Sequence, residues 1–223
     1  MDQMAILWDL DGTIIDTKSC HYQTWENAIR DSGYSMDAHA YNENFGVKSD
    51  VVVGKLLGFE PDKALKKRLI ERKEALFRDL APESVNLVTG VETWLQDAKR
   101  YQISQAIASS APKHNITILL MNFSITKYFD AIVSGAEMAA KPAPDVFFEA
   151  AAQLGAEPKN CLVIEDSLAG VRAAKNAGMG CIAVATSHSA SDYELADIVI
   201  EDFTKPLCVI LKRIGLSKFI IRK

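Results

Sequence analysis

The sequence has few cysteines and no long apolar run, and both absences narrow the class of protein. Its 223 residues include 4 cysteines without CxxC or metal-ligand spacing, and a chain of this length does not need disulfides for stability. No apolar stretch approaches the roughly 18 residues that a membrane span requires, and no basic segment precedes an apolar one at the start of the chain. We therefore expect a cytoplasmic protein with reduced thiols, no secretory signal and no membrane partner.

An excess of basic charge is also absent. The chain has 25 Lys and Arg against 29 Asp and Glu, for a net charge of −4, which argues against a nucleic-acid partner. Its composition is that of a globular protein, and its length predicts one domain, with or without an insertion. Only the segment from Phe203 to Lys223 is basic, and we interpret it as a terminal helix and an edge strand rather than a lipid-binding surface. We expect a monomer that acts on a small molecule.

Short apolar runs that end in polar or glycine-containing turns recur along the chain and predict buried strands. They are Ala5 to Trp8, Ile103 to Ala108, Ala131 to Val133, Cys161 to Ile164 and Cys181 to Val184. Helical patterns lie between them, most clearly Pro112 to Met121, Ala143 to Leu154 and Leu168 to Ala177. Because strands that alternate with helices form right-handed βαβ units, we predict an α/β protein with a doubly wound, Rossmann-like parallel sheet.

One stretch breaks this alternation by offering only helical segments. It runs from about Thr17 to Pro82, and its helical patterns are Cys20 to Arg30, Asp50 to Leu57 and Asp62 to Leu80. We predict a catalytic core of residues 1–16 and 83–223, with a small helical cap of residues 17–82 inserted after the first strand. The last cap helix is rich in Lys, Arg and Glu, and we interpret those charges as a solvated face.

Three pairs of polar residues follow three of the predicted strands. They are Asp9 and Asp11, Ser109 and Ser110, and Glu165 and Asp166. The carboxyl ends of parallel strands share one edge of the sheet, where ligands bind in open α/β folds. Clustered carboxylates repel one another and favour a hard divalent cation such as Mg²⁺. Helix capping or turn formation is the alternative for any one of them, but the joint placement favours a metal site.

Two further features of this edge predict phosphate binding. Lys141, before Pro142, enters the same face as the carboxylates, and its ammonium can neutralise both an aspartate and a phosphate oxygen. Ser109 ends a strand just before a helix, so its hydroxyl and the adjacent backbone N–H groups can hold an anion.

These residues carry a family resemblance. In their order along the chain, Asp9 to Thr13, Ser109, Lys141 with Pro142, and Glu165 to Ser167 resemble the four signature motifs of the haloacid dehalogenase-like phosphatase superfamily. The resemblance extends from about Ala5 to Phe203. The helical insertion after the first motif is similar to the small cap of the β-phosphoglucomutase-like branch.

The resemblance implies a role for each core residue. Asp9 would be the nucleophile that forms an aspartyl-phosphate, and Asp11 would be the general acid and base. Ser109 would hold a phosphoryl oxygen, and Lys141 would neutralise charge on the phosphoryl group and on Asp9. Magnesium would be bound by Asp9, by Asp166 and by the backbone carbonyl of Asp11, with Glu165 as a ligand or an orienting residue. Ser110 is expected to contact substrate.

In the cap, the resemblance implies substrate contacts for His21, Trp25, Gly46 and Lys73, with Gly46 in the substrate-specificity loop. Packing in the cap is the alternative for Trp25, and surface exposure is the alternative for Lys73. Ser49 stands where the mutase has a phosphate-binding arginine, which disfavours mutase activity, and adjacent Lys48 is expected to point elsewhere.

The sequence therefore predicts a phosphoric monoester hydrolase that depends on Mg²⁺ and acts on a small phosphorylated metabolite, with a sugar phosphate as the favoured class. A phosphohexomutase is the alternative. Phosphonatase and dehalogenase relatives generally lack an aspartate at the position of Asp11, which disfavours both. A catalytically silent binding module is a further alternative, and the complete set of core residues argues against it.

Overall fold

Six parallel strands form the central sheet of the computed structural model, which describes residues 4–216. In spatial order they are β5 (Ala131–Ser134), β4 (Ser104–Ser109), β1 (Ala5–Trp8), β6 (Cys161–Glu165), β7 (Gly180–Val184) and β8 (Ile198–Ile200). In the register, Leu7 of β1 lies between Ala106 of β4 and Val163 of β6. Strands β4 and β5 lie on one side of β1, and the later strands β6, β7 and β8 lie on its other side, so the strand order reverses at β1. Ligand sites of open α/β sheets lie at such a reversal.

The insertion forms α1 (Lys18–Asp31), α2 (Ala38–Glu43), α3 (Ser49–Leu57) and α4 (Lys63–Ser84). The later helices cover the sheet on both faces, as the doubly wound prediction requires, and are α5 (Val91–Arg100), α6 (Lys113–Asn122), α7 (Asp145–Gln153), α8 (Leu168–Asn176) and α9 (Leu207–Arg213). Alternate residues of β1 point to opposite faces. Trp8 belongs to the apolar cluster that includes α5, α6 and α9, and Leu7 belongs to the cluster that includes α7 and α8.

The first four helices contribute to an apolar cluster of their own. Trp25 and Ile29 of α1, Tyr41 of α2, Leu56 of α3 and Leu69 of α4 pack together, and each is at most 4% exposed. The chain leaves and re-enters the sheet domain through a two-stranded antiparallel ribbon of β2 (Ile15–Asp16) and β3 (Asn86–Leu87).

Several details differ from the prediction. Helix α2 was not predicted. Helix α4 continues through Pro82 to Ser84, so the proposed junction at residues 82–83 lies in the last turn of a helix. The predicted terminal helix is present as α9, but residues 203–216 contain no strand, and the sheet edge is the earlier β8. The rest of the basic segment, residues 217–223, lies outside the described residues.

The sequence predicted reduced cysteines and no membrane-spanning segment, and the described residues bear on both predictions. All four cysteines are free, and Cys20, Cys161 and Cys181 are buried. Within residues 4–216, no helix combines the length and the apolar character needed to cross a bilayer.

Candidate active site

Asp9 lies directly after β1 and is held by the neighbouring strand β6 and by Lys141. Its backbone N–H donates to the carbonyl of Ile164 at 3.0 Å. The ammonium Nζ of Lys141 lies 2.5 Å from Asp9 Oδ1 and 2.7 Å from Glu165 Oε1. The other oxygen of Glu165 accepts the backbone N–H of Ser167 at 2.6 Å. The three charged side chains are nearly inaccessible, so one buried ammonium bridges two buried carboxylates.

Burial dominates the electrostatics of this group. It raises the pKa of Asp9 to about 7, with the neighbouring Glu165 carboxylate adding to the increase and Lys141 opposing it. Burial by itself would lower the pKa of Lys141, but the two carboxylates reverse that effect and raise it. The lysine is therefore a permanent cation at neutral pH, while Asp9 titrates near neutrality.

Asp166 is the second buried carboxylate at the end of β6. Thr13 Oγ1 donates to its Oδ1 at 3.0 Å, and Ser187 Oγ donates to its Oδ2. The hydroxyl of Tyr193 donates to the backbone carbonyl of Asp166. Burial and the carboxylates of Glu165 and Asp9 raise the pKa of Asp166 well above its usual value.

The backbone of the first motif approaches Asp166 closely at Gly12. This residue has φ +82°, and a Cβ there would lie 2.1 Å from Asp166 Oδ2. Glycine is thus required at this position both by the backbone conformation and by the space beside the carboxylate.

Asp11 points toward the first cap helix rather than toward Lys141. Its Oδ1 accepts hydrogen bonds from Thr17 Oγ1 at 2.9 Å and from His21 Nε2 at 3.2 Å. Burial by itself would raise the pKa of Asp11, but these hydrogen bonds lower it overall. The imidazole of His21 stacks on Phe77 with ring centroids 4.2 Å apart, and burial together with the charge of Lys73 lowers the pKa of His21. A neutral His21 therefore donates to an ionised Asp11.

A single cleft joins these core groups to the cap. Of the predicted site residues, it is lined by Asp9, Asp11, Ser109, Ser110, Glu165, Asp166, His21, Trp25, Gly46 and Lys73. Lys141 is not part of the lining and reaches the site through its ion pairs with Asp9 and Glu165. Ser109 Oγ accepts the backbone N–H of Ala111 at 3.0 Å, which shapes the turn between β4 and α6.

Two of the predicted cap residues, Trp25 and Lys73, are buried in the wall of this cleft, while His21 is half-buried and Gly46 is exposed. Trp25 is 4% exposed and belongs to the cap cluster, so it both packs in the cap and faces the cleft. Lys73 is also 4% exposed, and its ammonium lies 5.7 Å from the ring centroid of Trp25 and 5.2 Å from that of Phe77. A Cβ at Gly46, which has φ +82°, would meet the side chain of Ser167 at 3.2 Å, so glycine allows the cap loop to approach the core.

Comparison with known proteins agrees with this geometry. The family model described as haloacid dehalogenase-like hydrolase matches residues 6–184. The chain belongs to this family. Hexitol phosphatase B of Escherichia coli (strain K12) is 29% identical over 211 residues, covering 91% of this chain and 93% of that protein. Beta-phosphoglucomutase of Bacillus subtilis (strain 168) is 32% identical over 190 residues, with 81% and 82% covered.

Solved structures agree as well. The crystal structure of beta-phosphoglucomutase from Clostridium difficile matches with a TM-score of 0.84 at 25% identity, covering 99% of this chain and 100% of that chain. The predicted family, fold class and enzyme class are confirmed: this haloacid dehalogenase-like hydrolase is a phosphoric monoester hydrolase.

Sequence reasoning missed several residues that complete the site of this hydrolase. Glu74 and Asn115 line the cleft and are 8% and 2% exposed. Lys73 and Glu74 therefore contradict the interpretation of the α4 charges as a solvated face, although most other charged residues of that helix are exposed. Thr13 ends the first motif and Thr17 lies four residues beyond it, so their position in the sequence could have indicated a role in the site. Nothing in the local pattern indicated Asn115.

The donor set suits a magnesium ion held by few protein ligands. Within residues 4–216, no three His, Cys, Asp or Glu side chains are grouped closely enough to hold a metal by themselves. Glu165 is committed to the charged ammonium of Lys141 and to the backbone N–H of Ser167, whereas the carboxylate of Asp166 accepts from neutral hydroxyls, those of Thr13 and Ser187. Asp9 and Asp166 remain, with pKa values that burial has raised. In the described part of the chain, the site holds three buried carboxylates, those of Asp9, Glu165 and Asp166, but only one ammonium, that of Lys141. The remaining negative charge suits Mg²⁺, which usually binds one or two carboxylates and several waters.

Proposed function

We propose that this hydrolase is a Mg²⁺-dependent phosphatase of phosphorylated sugars or sugar alcohols that works through an aspartyl-phosphate on Asp9. The observation that carries the proposal is the buried ion pair of Asp9 and Lys141, with Nζ 2.5 Å from Oδ1, in a cleft that also contains Asp11 and Ser109. Hexitol phosphatase and fructose-1-phosphate phosphatase relatives support the substrate class.

In the first half-reaction the Asp9 carboxylate attacks phosphorus, and the bond from phosphorus to the sugar oxygen breaks. Asp11 is ionised in the free enzyme, so it must take up a proton from solvent before this step; it then gives that proton to the sugar oxygen, and the leaving group departs as a neutral alcohol. Ser109 donates its hydroxyl to a phosphoryl oxygen, and Lys141 neutralises the negative charge that collects around Asp9. The family resemblance supports these assignments, and the convergence of Asp9, Asp11 and Ser109 on one cleft, with Lys141 paired to Asp9, supports them independently.

In the second half-reaction water attacks the aspartyl-phosphate, and inorganic phosphate is released while Asp9 is restored. Asp11 takes the proton of that water. Its hydrogen bonds from Thr17 and His21 lower its pKa and so favour the ionised form that a base requires. Asp11 thus alternates between acid and base within one turnover.

Magnesium would be held by the carboxylates of Asp9 and Asp166 and by the backbone carbonyl of Asp11, with Glu165 positioning Lys141 from behind. When bound, the ion supplies charge neutralisation for the carboxylates and the phosphoryl oxygens.

A phosphohexomutase is the second candidate, because the mutase of Bacillus subtilis is 32% identical over 190 residues. The surroundings of Ser49 favour hydrolysis instead. Its hydroxyl donates to Glu74 Oε1 at 3.1 Å, so a second phosphate bound there would face a carboxylate. Lys48, the residue before α3, lines the cleft rather than pointing elsewhere as expected, but its ammonium donates to the carbonyl of Met138 at 2.9 Å and is engaged with the core.

The deciding experiment follows two products at once. The enzyme is given β-glucose 1-phosphate and a trace of the 1,6-bisphosphate with Mg²⁺, and inorganic phosphate and glucose 6-phosphate are measured over time. We expect phosphate to appear faster. Faster formation of glucose 6-phosphate would replace the phosphatase by the mutase. A panel of sugar and sugar-alcohol phosphates, scored by phosphate release, tests the substrate class.

A further inference from the structure

A buried polar cluster lies in the wall of the cleft where the cap meets the core, and the proposed chemistry does not use it. Asn115 of α6 is 2% exposed, and its Nδ2 donates to Glu74 Oε2 of α4 at 2.6 Å. Because an ionised carboxylate only accepts hydrogen bonds, this contact fixes the amide orientation. Among residues 4–216, Asn115 Oδ1 is the one buried side-chain oxygen or nitrogen without a hydrogen-bond partner.

Glu74 holds this cluster together across three helices. Its Oε1 accepts from Lys73 Nζ at 2.9 Å and from Ser49 Oγ of α3 at 3.1 Å. Its Oε2 accepts from Asn115, so the carboxylate has three donors from α3, α4 and α6. All four side chains belong to residues that line the cleft.

The cluster offers a ligand both a donor and an acceptor but little net charge. Lys73 has three N–H donors, of which one is directed to Glu74. Asn115 Oδ1 is an acceptor, and leaving such a buried group unpaired is costly. A hydroxyl group can donate and accept at once, whereas a phosphate needs positive charge that Glu74 already neutralises at Lys73.

We infer that Asn115, Glu74 and Lys73 form a subsite for the hydroxyl groups of the leaving sugar or sugar alcohol, with Asn115 Oδ1 as the specificity-determining acceptor. This inference rests on the proposed phosphatase function. The subsite selects monophosphates with a neutral polyhydroxyl chain and disfavours bisphosphates, because a second phosphate would approach the Glu74 carboxylate.

The first test removes hydroxyls from the substrate, so it needs no variant to fold. We compare kcat/KM of the wild-type enzyme for hexitol 6-phosphate and for a series of its mono-deoxy analogues. Removal of the hydroxyl that pairs with Asn115 Oδ1 is expected to lower kcat/KM on the order of 10- to 100-fold. Equal kcat/KM for every member of the series would overturn the inference.

The second test assigns the effect to Asn115. In Asn115→Leu, which keeps the side-chain size but has no acceptor, the ratio between the parent and the sensitive deoxy analogue is expected to fall to within about threefold. Asn122→Leu is the matched control, since Asn122 is an exposed asparagine of the same helix outside the cleft, and it should keep the wild-type ratio. An unchanged ratio in Asn115→Leu would assign the discrimination to other residues and reject the subsite.

The third test addresses charge. Glu74→Gln keeps a hydrogen-bonding side chain but removes the negative charge, so it is expected to raise kcat/KM for hexose 1,6-bisphosphate relative to hexose 6-phosphate by about 5- to 10-fold. An unchanged or lower ratio contradicts the charge argument. If the wild-type enzyme releases phosphate from none of these esters, the proposed function itself fails, and that result is distinct from the failure of the subsite.

Discussion

The most informative perturbation of this site is Lys141→Met, which keeps most of the side-chain volume and removes the ammonium. Lys141 is 5% exposed at its side chain and bridges Asp9 Oδ1 at 2.5 Å and Glu165 Oε1 at 2.7 Å. Without it, two carboxylates remain buried with no cation between them. Removing one partner of a buried ion pair typically costs about 3–5 kcal/mol, because the remaining charge is left uncompensated.

The expected change in melting temperature follows from that energy and the chain length. For a protein of this size, 1 kcal/mol corresponds to roughly 2–4 °C, so Lys141→Met is expected to melt roughly 6–20 °C lower than wild type in EDTA at pH 8. Lys159→Met is the matched control. Its ammonium lies 2.6 Å from Glu157 Oε2, but the two side chains are 70% and 67% exposed, so its loss should cost at most about 1 kcal/mol.

The loss of stability in Lys141→Met is also expected to depend on pH, and the buried carboxylates determine whether it grows or shrinks as the pH rises. Lys141 lowers the pKa of Asp9, which burial raises to about 7, so the substitution moves this pKa further up. Between pH 4 and 8 the folded variant then keeps a proton that the unfolded chain has released, and its stability falls as pH rises through that range. Wild-type Asp9 also keeps its proton up to about pH 7, so the deficit relative to wild type should change little between pH 5 and 6 and grow between pH 7 and 8, where only the wild type releases that proton.

Differential scanning calorimetry or circular dichroism at pH 5, 6, 7 and 8 measures this directly. A deficit no larger than that of Lys159→Met would refute the claim that Lys141 compensates buried charge. A deficit that grows toward pH 5 would refute the assignment of its pH dependence to the carboxylates.

The remaining predictions concern catalysis. Asp9→Asn should reduce phosphate release to background with the fold intact, and a loss of less than about tenfold, roughly 1.4 kcal/mol in the barrier, would remove Asp9 as the nucleophile. Asp11→Ala should accumulate phosphoenzyme from an aryl phosphate, whose leaving group needs no protonation, and trapping no more of it than in wild type would argue against the acid and base role. Turnover should stop in EDTA and return with Mg²⁺, and Asp166→Ala should raise the Mg²⁺ concentration needed for half-maximal activity; full turnover in EDTA would reject the metal site.

Much of the core could be predicted because its signals are local. A buried parallel strand needs a short apolar run, and the run from Ala5 to Trp8 coincides with β1. The run from Cys161 to Ile164 coincides with β6 except for Glu165, which the structure adds at the end. Since the carboxyl ends of parallel strands meet at one edge of the sheet, the sequence alone predicts that the polar residues after these strands lie close together.

Short elements escaped prediction for a physical reason. Helix α2 has six residues, and Asp37 caps it by accepting the backbone N–H groups of His39 and Ala40. A segment of this length completes fewer than two helical turns, so it cannot display a helical repeat of apolar residues. Its stability depends on Tyr41, which packs in the cap cluster.

The sequence by itself determined the class of fold, the order of the motifs and the residues that gather at the sheet edge, because each depends on periodicity or on the position of a residue relative to a strand. The tertiary structure alone decided which charges are buried. Glu74 and Lys73 lie on a charged helix that looks solvated in sequence, yet Glu74 meets Asn115, 41 positions away, at 2.6 Å. Burial arises when the cap packs against the core, and the energy of a charge depends on that distant packing rather than on its neighbours in the chain.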